Sequence, residues 1–281
     1  MENNMLLADM PFEDNKLTRR TFIKLMGAAP ASLAVNPKTG ERRYAKLMDT
    51  FKCIGCRRCM SACKRWNNLP PYEVPESLVR DLDGTTYTVV NFIRSDKNAE
   101  IGKFIHWACQ HCQKPACAGV CPVSAIKKNP VTGAVVIDPD KCIGCRYCYQ
   151  ACPFKVPRFD FHKRITRKCH LCYNRVPKLK PACVAACPVQ ALDYGYRDLI
   201  LKHAKQKAQL VKGYVMGEFE AGGTDMITIL PAPPEEMGLI VAPKKVVNED
   251  MDKIRISFSG FSAAAVLAGL LYLYSRFGKG E

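Results

Sequence analysis

All sixteen cysteines of the chain lie between Cys53 and Cys187, in four ordered quartets. The first is Cys53, Cys56, Cys59 and Cys63, and the third, with identical spacing, is Cys142, Cys145, Cys148 and Cys152. The second, Cys109, Cys112, Cys117 and Cys121, has four residues in its middle gap; the fourth, Cys169, Cys172, Cys183 and Cys187, has ten. Such runs suit Fe4S4 chemistry, because a tight C-x-x-C-x-x-C loop wraps one corner of a cube and brings three thiolates to three irons. The fourth cysteine is carried away to start the next element, and in two-cluster ferredoxins it ligates the other cluster, usually before a proline. Pro122, Pro153 and Pro188 follow three of the distal cysteines, where a missing backbone donor does no harm, whereas Lys64 follows Cys63. The array implies an electron carrier with four [4Fe-4S] clusters.

Other uses of cysteine fit less well. Structural zinc takes two separated C-x-x-C pairs, so a third cysteine at the same short spacing would be left over. Disulfides suit an even count in an exported chain, but crowded triplets would close small, strained loops. The sequence shows no Ser-His-Asp set, no paired carboxylates and no phosphate loop, so it is given no catalytic residues and no substrate site of its own. His111 and His170 lie inside C-x-x-C gaps, either as donors behind the ligands or as ordinary loop residues. His106, His162 and His203 read as polar packing or surface residues.

The stretches CIGCRRCMSACKRWN from Cys53, CQHCQKPACAGVCPVSAIKKNPVTG from Cys109, CIGCRYCYQACPFKVPRFD from Cys142 and CHLCYNRVPKLKPACVAACPVQAL from Cys169 carry a family likeness. Over roughly residues 45–230 the chain resembles the four-cluster iron–sulfur subunits of respiratory molybdenum, tungsten and nickel–iron oxidoreductases. Formate dehydrogenase beta subunits and hydrogenase-2 iron–sulfur subunits are two types that it resembles. The resemblance implies a nested ligand pairing. Cluster 1 would take Cys53, Cys56, Cys59 and Cys187; cluster 2 would take Cys169, Cys172, Cys183 and Cys63. Cluster 3 would take Cys109, Cys112, Cys117 and Cys152; cluster 4 would take Cys142, Cys145, Cys148 and Cys121. Spacing alone permits adjacent pairing too. The resemblance also implies two partners: a catalytic oxidoreductase subunit, and an integral membrane quinone-reacting subunit, with cytochrome b as one candidate. A stand-alone membrane-bound polyferredoxin is the alternative.

The two termini bear on location. Thr18-Arg19-Arg20-Thr21-Phe22-Ile23-Lys24, followed by the uncharged run Leu25–Val35, resembles a twin-arginine export signal. A basic amphipathic helix is the other reading, and neither Ala29-Pro30-Ala31 nor Ser32-Leu33-Ala34 makes a persuasive cleavage site. From Ile256 to Ser275 the chain runs 20 residues without a charge, enough to span a bilayer as a single anchor, against the reading of a buried core helix. Lys244, Lys245, Lys253 and Arg255 precede the span and oppose an outward cluster domain. Large folded domains translocate largely regardless of that bias, so the expected place is the periplasmic or outer face of the cytoplasmic membrane.

The elements that must position the quartets can be read coarsely. Asp83-Gly84 is a turn, Thr85–Ile93 alternates as a strand, and Lys103–Trp107 is its return partner. This hairpin is either a surface elaboration or a docking face for the catalytic subunit. Asn129-Pro130-Val131-Thr132-Gly133 turns the chain into a strand at Ala134–Ile137. A helix is expected over Arg197–Val211 with Leu201, Ala204, Ala208 and Val211 on one face, then a strand at Met226–Leu230 leading towards the membrane. The expected fold class is α+β: a signal segment (1–36), two ferredoxin-like two-cluster modules (45–195) with a β-hairpin insert at about 70–107, a helix and extended linker (196–255), and a C-terminal transmembrane helix (256–275).

The formal net charge is +16 over 281 residues. Four oxidised cubes with their thiolates, each about −2, would bring it to roughly +8. Residues 141–180 hold eleven Lys or Arg against the single acid Asp160, which reads as compensation for clusters. A nucleic-acid face would need aromatic or groove-reading partners that the sequence lacks, so no nucleic acid is expected.

Overall fold

Strand β1 (Tyr44–Asp49) sends alternate side chains to two different environments, and this alternation organises the domain. Ala45 and Leu47 pack with Ile227 and Ile229 of β10 (Met226–Leu230) against Ile200, Ala204 and Ala208 of helix α5 (Arg197–Leu210). Met48, on the other face, joins a core containing Cys59, Cys109, Cys152, Cys183 and Met226. One face of the sheet thus meets a helix, and the other meets the cysteine loops. The computed structural model describes residues 43–98 and 100–239, all within one compact unit.

The sheet runs in the order β8-β1-β10-β9, with β8 at Leu192–Tyr196 and β9 at Tyr214–Met216. β1 lies parallel to β10, with Lys46 opposite Met226, and antiparallel to β8, with Lys46 opposite Tyr194. All five residues of β10 are buried, as a central strand covered on both faces requires. The strand expected at Met226–Leu230 is therefore present but does not lead away. The expected helix and linker from residue 196 are, as far as Leu239, packed into the cluster domain. Strand pairing across some 180 residues leaves no local mark from which this could be read.

The two modules are nested. In the outer one, α1 (Arg58–Trp66) follows the first quartet's loop and packs against α4 (Ala182–Ala185) of the fourth quartet. Ala62, Cys172 and Ala182 are small enough to let the two helices approach. In the inner module α2 (Ala116–Gly119) packs against α3 (Tyr147–Ala151), and the ribbon of β4 (Ile126–Lys128) and β5 (Val135–Ile137) joins them. The expected turn at Asn129–Gly133 makes this ribbon: the Asn129 carboxamide oxygen accepts from the N–H groups of Val131 (3.0 Å) and Thr132 (2.9 Å). Asp225, fully buried, pairs with Lys128 (2.6 Å) and Arg197 (3.3 Å) and ties β10 to the inner module.

Two further ribbons cover the loops of the equally spaced quartets. The expected hairpin is β2 (Thr88–Arg94) and β3 (Gly102–Ala108), paired along its whole length. A shorter ribbon, β6 (Arg158–Asp160) and β7 (Ile165–Arg167), has no counterpart among the sequence expectations. Gly55 and Gly144 occupy the same left-handed conformation, with φ of 70° and 72°. A Cβ at Gly55 would meet the Phe104 ring of β3 at 2.6 Å; one at Gly144 would meet the Arg164 carbonyl at 2.5 Å. Equal spacing gives equal loops, each pressed under a ribbon.

Among the described residues no helix is long and apolar enough to cross a membrane. The expected signal segment, 1–36, and the expected anchor, 256–275, lie outside the described residues. The place of β10 in the core has a measurable consequence. Ile229→Ala should destabilise the domain by about 2–5 kcal/mol, seen as a lower midpoint in a thermal melt. A linker residue would change it by about 0.5 kcal/mol or less.

Candidate iron–sulfur sites

Each equally spaced quartet opens on a loop whose arginine, Arg57 or Arg146, has a positive φ of 56° or 63° and starts the following helix. The stretched quartets instead start α2 and α4 after Pro115 and Pro181, where fixed proline geometry suits a helix start. The distal cysteines share a second device. After Cys121, Cys152 and Cys187, each followed by proline, the third residue (Ser124, Lys155 or Gln190) has a φ near +50°. The fourth residue then donates its N–H back to the sulfur. Ala125 reaches Cys121 Sγ at 3.3 Å, Ala191 reaches Cys187 Sγ at 3.2 Å, and Val156 bonds to Cys152.

Cys63 departs from that pattern in structure as in sequence. Without a proline, α1 runs through it to Trp66, and the N–H four residues on is used inside the helix turn. The side chain of Asn67 takes over: its Nδ2 donates to Cys63 O at 2.8 Å and to Cys63 Sγ at 3.5 Å. Its Oδ1 meets His170 Nε2 at 2.5 Å, which fixes the carboxamide's orientation. Neither the role of Asn67 nor its link to His170 was among the sequence expectations; the absent proline was the available signal.

Cavities show which thiols come together. Cys63, Cys169, Cys172 and Cys183 line one, with Lys46, Asn67, His106 and His170 in its wall. Cys53, Cys56, Cys59 and Cys187 line a second, again with His106 in the wall. Cys121, Cys142, Cys145 and Cys148 line a third. Cys109, Cys112, Cys117 and Cys152 are drawn together as well: after burial and Lys168, the thiols of Cys109, Cys152 and Cys112 are what act on Cys117. The structure thus brings distant quartets into common sites, mixing the first with the fourth and the second with the third.

Shared walls put the four sites in order. His106 separates the Cys53 site from the Cys63 site. Lys168 joins the next two, since its Nζ donates to Cys169 O at 3.1 Å and its charge acts on Cys109 and Cys117. Helical turn α2 carries Cys117 into the third site and ends two residues before Cys121 of the fourth, while α3 carries Cys148 into the fourth and is followed directly by Cys152 of the third. Only the first and last sites have an exposed thiol, Cys56 and Cys145. Each stands two residues after an exposed isoleucine, Ile54 (60% exposed) or Ile143 (63%).

The electrostatics suit bound metal better than free thiol chemistry. Burial pushes the thiols of Cys59, Cys63 and Cys117 far up, and those of Cys112 and Cys172 up to about 12. Burial resists the charge on Lys46, but Cys183, Cys169, Cys63 and Cys172, in their thiolate form, outweigh it and push its pKa up. Burial, helped by Lys168, pushes His170 down to about 4, and burial keeps His106 and His111 neutral. His106, expected as packing or surface, is a fully buried wall residue bonded to Thr88 Oγ1 at 2.6 Å. His111 accepts the Val135 N–H on Nδ1 at 3.0 Å, and its backbone N–H faces Cys109 Sγ at 3.5 Å. The hairpin expected as an elaboration or docking face thus supplies walls of two sites through Thr88, Val90 and His106.

Four thiols around a hollow, as at three of the sites, with N–H groups aimed at sulfur, fit a cubane. Leu171 N–H to Cys169 Sγ (3.4 Å) and Thr166 N–H to Cys142 Sγ (3.4 Å) extend the donor set. Residues 52–126 and 101–197 each match the 4Fe-4S dicluster domain, and together they span all sixteen cysteines. The hydrogenase-2 operon protein HybA of Escherichia coli O157:H7 is 30% identical over 94% of this chain and 97% of its own length. The chain belongs to the 4Fe-4S dicluster family of respiratory iron–sulfur subunits. The nitrate-inducible formate dehydrogenase iron–sulfur subunit of Escherichia coli strain K12 is 31% identical, covering 89% of the chain and 92% of the relative. One subunit of that strain's anaerobic dimethyl sulfoxide reductase is 38% identical over 57% of the chain and 77% of its own length. Two dicluster domains account for four Fe4S4 clusters. This iron–sulfur subunit is an electron-transfer component of hydrogenase, formate dehydrogenase and dimethyl sulfoxide reductase type.

The donor from Asn67 can be tested. Asn67→Leu should lower the reduction potential of one cluster and weaken its iron retention about tenfold or more, measured by redox titration and by iron content after chelator challenge.

Proposed function

We propose that the chain relays single electrons between a catalytic subunit and a quinone-reacting membrane subunit, through four sites taken in order. The ligand sets are Cys53, Cys56, Cys59 and Cys187; Cys63, Cys169, Cys172 and Cys183; Cys109, Cys112, Cys117 and Cys152; and Cys121, Cys142, Cys145 and Cys148. One observation carries the reading: four thiol groups linked in order by His106, by Lys168 and by the segments of α2 and α3, with an exposed thiol at the first and last alone. When bound, an Fe4S4 cluster supplies a one-electron carrier that makes and breaks no bond.

The protein's own residues do the rest. Cys56 and Cys145, with Ile54 and Ile143 beside them, offer the two faces over which an electron enters and leaves. Phe154, Leu171, Val90 and Met48 exclude water from the interior. N–H groups and buried lysines favour the more negative, reduced state. Beside Cys145, the Arg146 guanidinium lies 4.0 Å from the centre of the Phe159 ring and 5.5 Å from that of Phe161. This cationic, aromatic rim suits a protein partner.

The cluster domain belongs, on this proposal, on the outer face of the cytoplasmic membrane, exported by a twin-arginine-type signal and held by one C-terminal anchor. The support is sequence alone: the Arg19-Arg20 segment and the uncharged run Ile256–Ser275. Relatives named for hydrogenase-2 and for formate dehydrogenase support a catalytic partner of one of those types.

Cys148→Ala should abolish quinone-linked activity of the assembled complex while dye-linked catalytic activity persists; unchanged quinone reduction would count against the relay. Anaerobically purified native assembly should hold about sixteen iron and sixteen acid-labile sulfide per chain. Nickel in it would mark a hydrogenase partner, and molybdenum or tungsten a formate dehydrogenase or relative. None of the three would favour a stand-alone polyferredoxin.

A further inference from the structure

Two lysines, Lys46 and Lys168, lie buried among the sites and a third, Lys128, lies partly buried, and they differ in what surrounds the ammonium group. Lys128 Nζ meets the Asp225 carboxylate at 2.6 Å and the carbonyls of Cys112 and Gly133 at 3.0 Å. Lys168 Nζ donates to the carbonyls of Val135 and Cys169. Lys46 is fully buried in the middle of β1, and its Nζ finds no hydrogen-bond partner among the described residues. Its neighbours are sulfur: it lines the cavity of Cys63, Cys169, Cys172 and Cys183. An isolated ammonium in an apolar interior is held only where an opposite charge faces it.

We propose that Lys46 is a dedicated counter-charge for the cluster of the Cys63 site, a positioning residue that sets its reduction potential. The inference rests on the ligand sets proposed above. The placement follows from the alternation of β1: a side chain at this position points away from α5 and into the cysteine loops, where Met48 also lies. Reduction adds one electron and no proton to the site, so a fixed positive charge at its wall favours the reduced state. Lys128 is neutralised by Asp225, and Lys168 has carbonyl partners besides the thiols of Cys109 and Cys117. Lys46 has no oxygen partner, and its effect should be largest at the Cys63 site, with a smaller one on Cys59 of the neighbouring site.

The test uses the full-length holoprotein, checked for sixteen iron and sixteen sulfide per chain. Lys46→Met keeps the length of the side chain and removes its charge. In a redox titration followed by electron paramagnetic resonance, one reduction wave should move to lower potential. At fixed potential its reduced-to-oxidised ratio should fall about tenfold, about 59 mV for a one-electron couple. The remaining waves should move much less. A second variant separates charge from packing: Lys46→Met/Met226→Lys returns the ammonium from the strand paired in register beside it. Its wave should move back towards the wild-type position. An unmoved wave in fully loaded Lys46→Met, or a moved wave that the double variant does not restore, overturns the inference. If Lys46→Met loses iron, the double variant decides: full loading at wild-type potentials upholds the role of charge, and loss in both overturns it. Failure of the ligand reading itself would show separately, as wild-type protein short of sixteen iron.

Discussion

Gathering thiols inside one domain makes thiolates such as those of Cys59, Cys63, Cys112, Cys117 and Cys172 expensive, because burial and the neighbouring sulfurs both resist ionisation. Cys112 and Cys172, pushed up to about 12, would be neutral thiols at any physiological pH without metal. Iron reverses that preference by taking the proton's place, and the domain must then carry about −2 at every site. The basic surplus, the buried lysines and the N–H groups turned towards sulfur all answer this one demand. They answer it at different ranges: the N–H groups at bonding distance, Lys46 across a cavity wall, and the exposed arginines through solvent that screens them.

The same demand explains the nesting. A site built from adjacent quartets would be bound by short loops, whereas Cys187 returns to Cys53 over more than a hundred residues. The closing cost rises only slowly with loop length, and strands offset it: β8 and β10 both pair with β1, next to the first quartet. β1 is therefore at once the start of the outer module, the centre of the sheet and the carrier of Lys46. Helix α5 holds it from behind through Ala45 and Leu47, which fixes the direction in which Lys46 points. The hairpin β2–β3 closes the outer module from another side and is part of its interior; Gly55 under Phe104 shows how close the loop and hairpin lie.

What could be read from the sequence was whatever short spacing encodes. The quartets, the Asn129–Gly133 turn, the hairpin strands and the helix beginning at Arg197 all depend on neighbours within a few positions, and all stand where spacing and periodicity put them. The face of α5 differs in detail, with Ile200 fully buried and Leu201 only partly. Long-range pairing is what spacing could not carry. Met226–Leu230 looked like a strand on its way out of the domain because nothing in MITIL says that its partner is β1. Lys46 looked like one lysine among 42 basic residues, and His106 like any polar residue of a hairpin. Their roles come from what the fold sets opposite them, so only the assembled structure separates them from surface residues of the same type.

The missing proline after Cys63 shows how one local departure spreads. At the other three distal cysteines a backbone N–H serves the sulfur, and no side-chain substitution except proline can remove it. At Cys63 the helix keeps that N–H for itself, so the sulfur depends on Asn67, and Asn67 depends on His170. The wall of the same cavity contains Lys46 and His106; that of the Cys145 cavity contains Arg146 and Thr166 among Val123, Ala125, Ile126 and Ile137. Side chains therefore enter the electrostatics of both sites, but at the Cys145 site the distal sulfur of Cys121 keeps its backbone donor whatever side chains surround it. At the Cys63 site the donor to the distal sulfur is itself a side chain, so a substitution can change it without reshaping a loop.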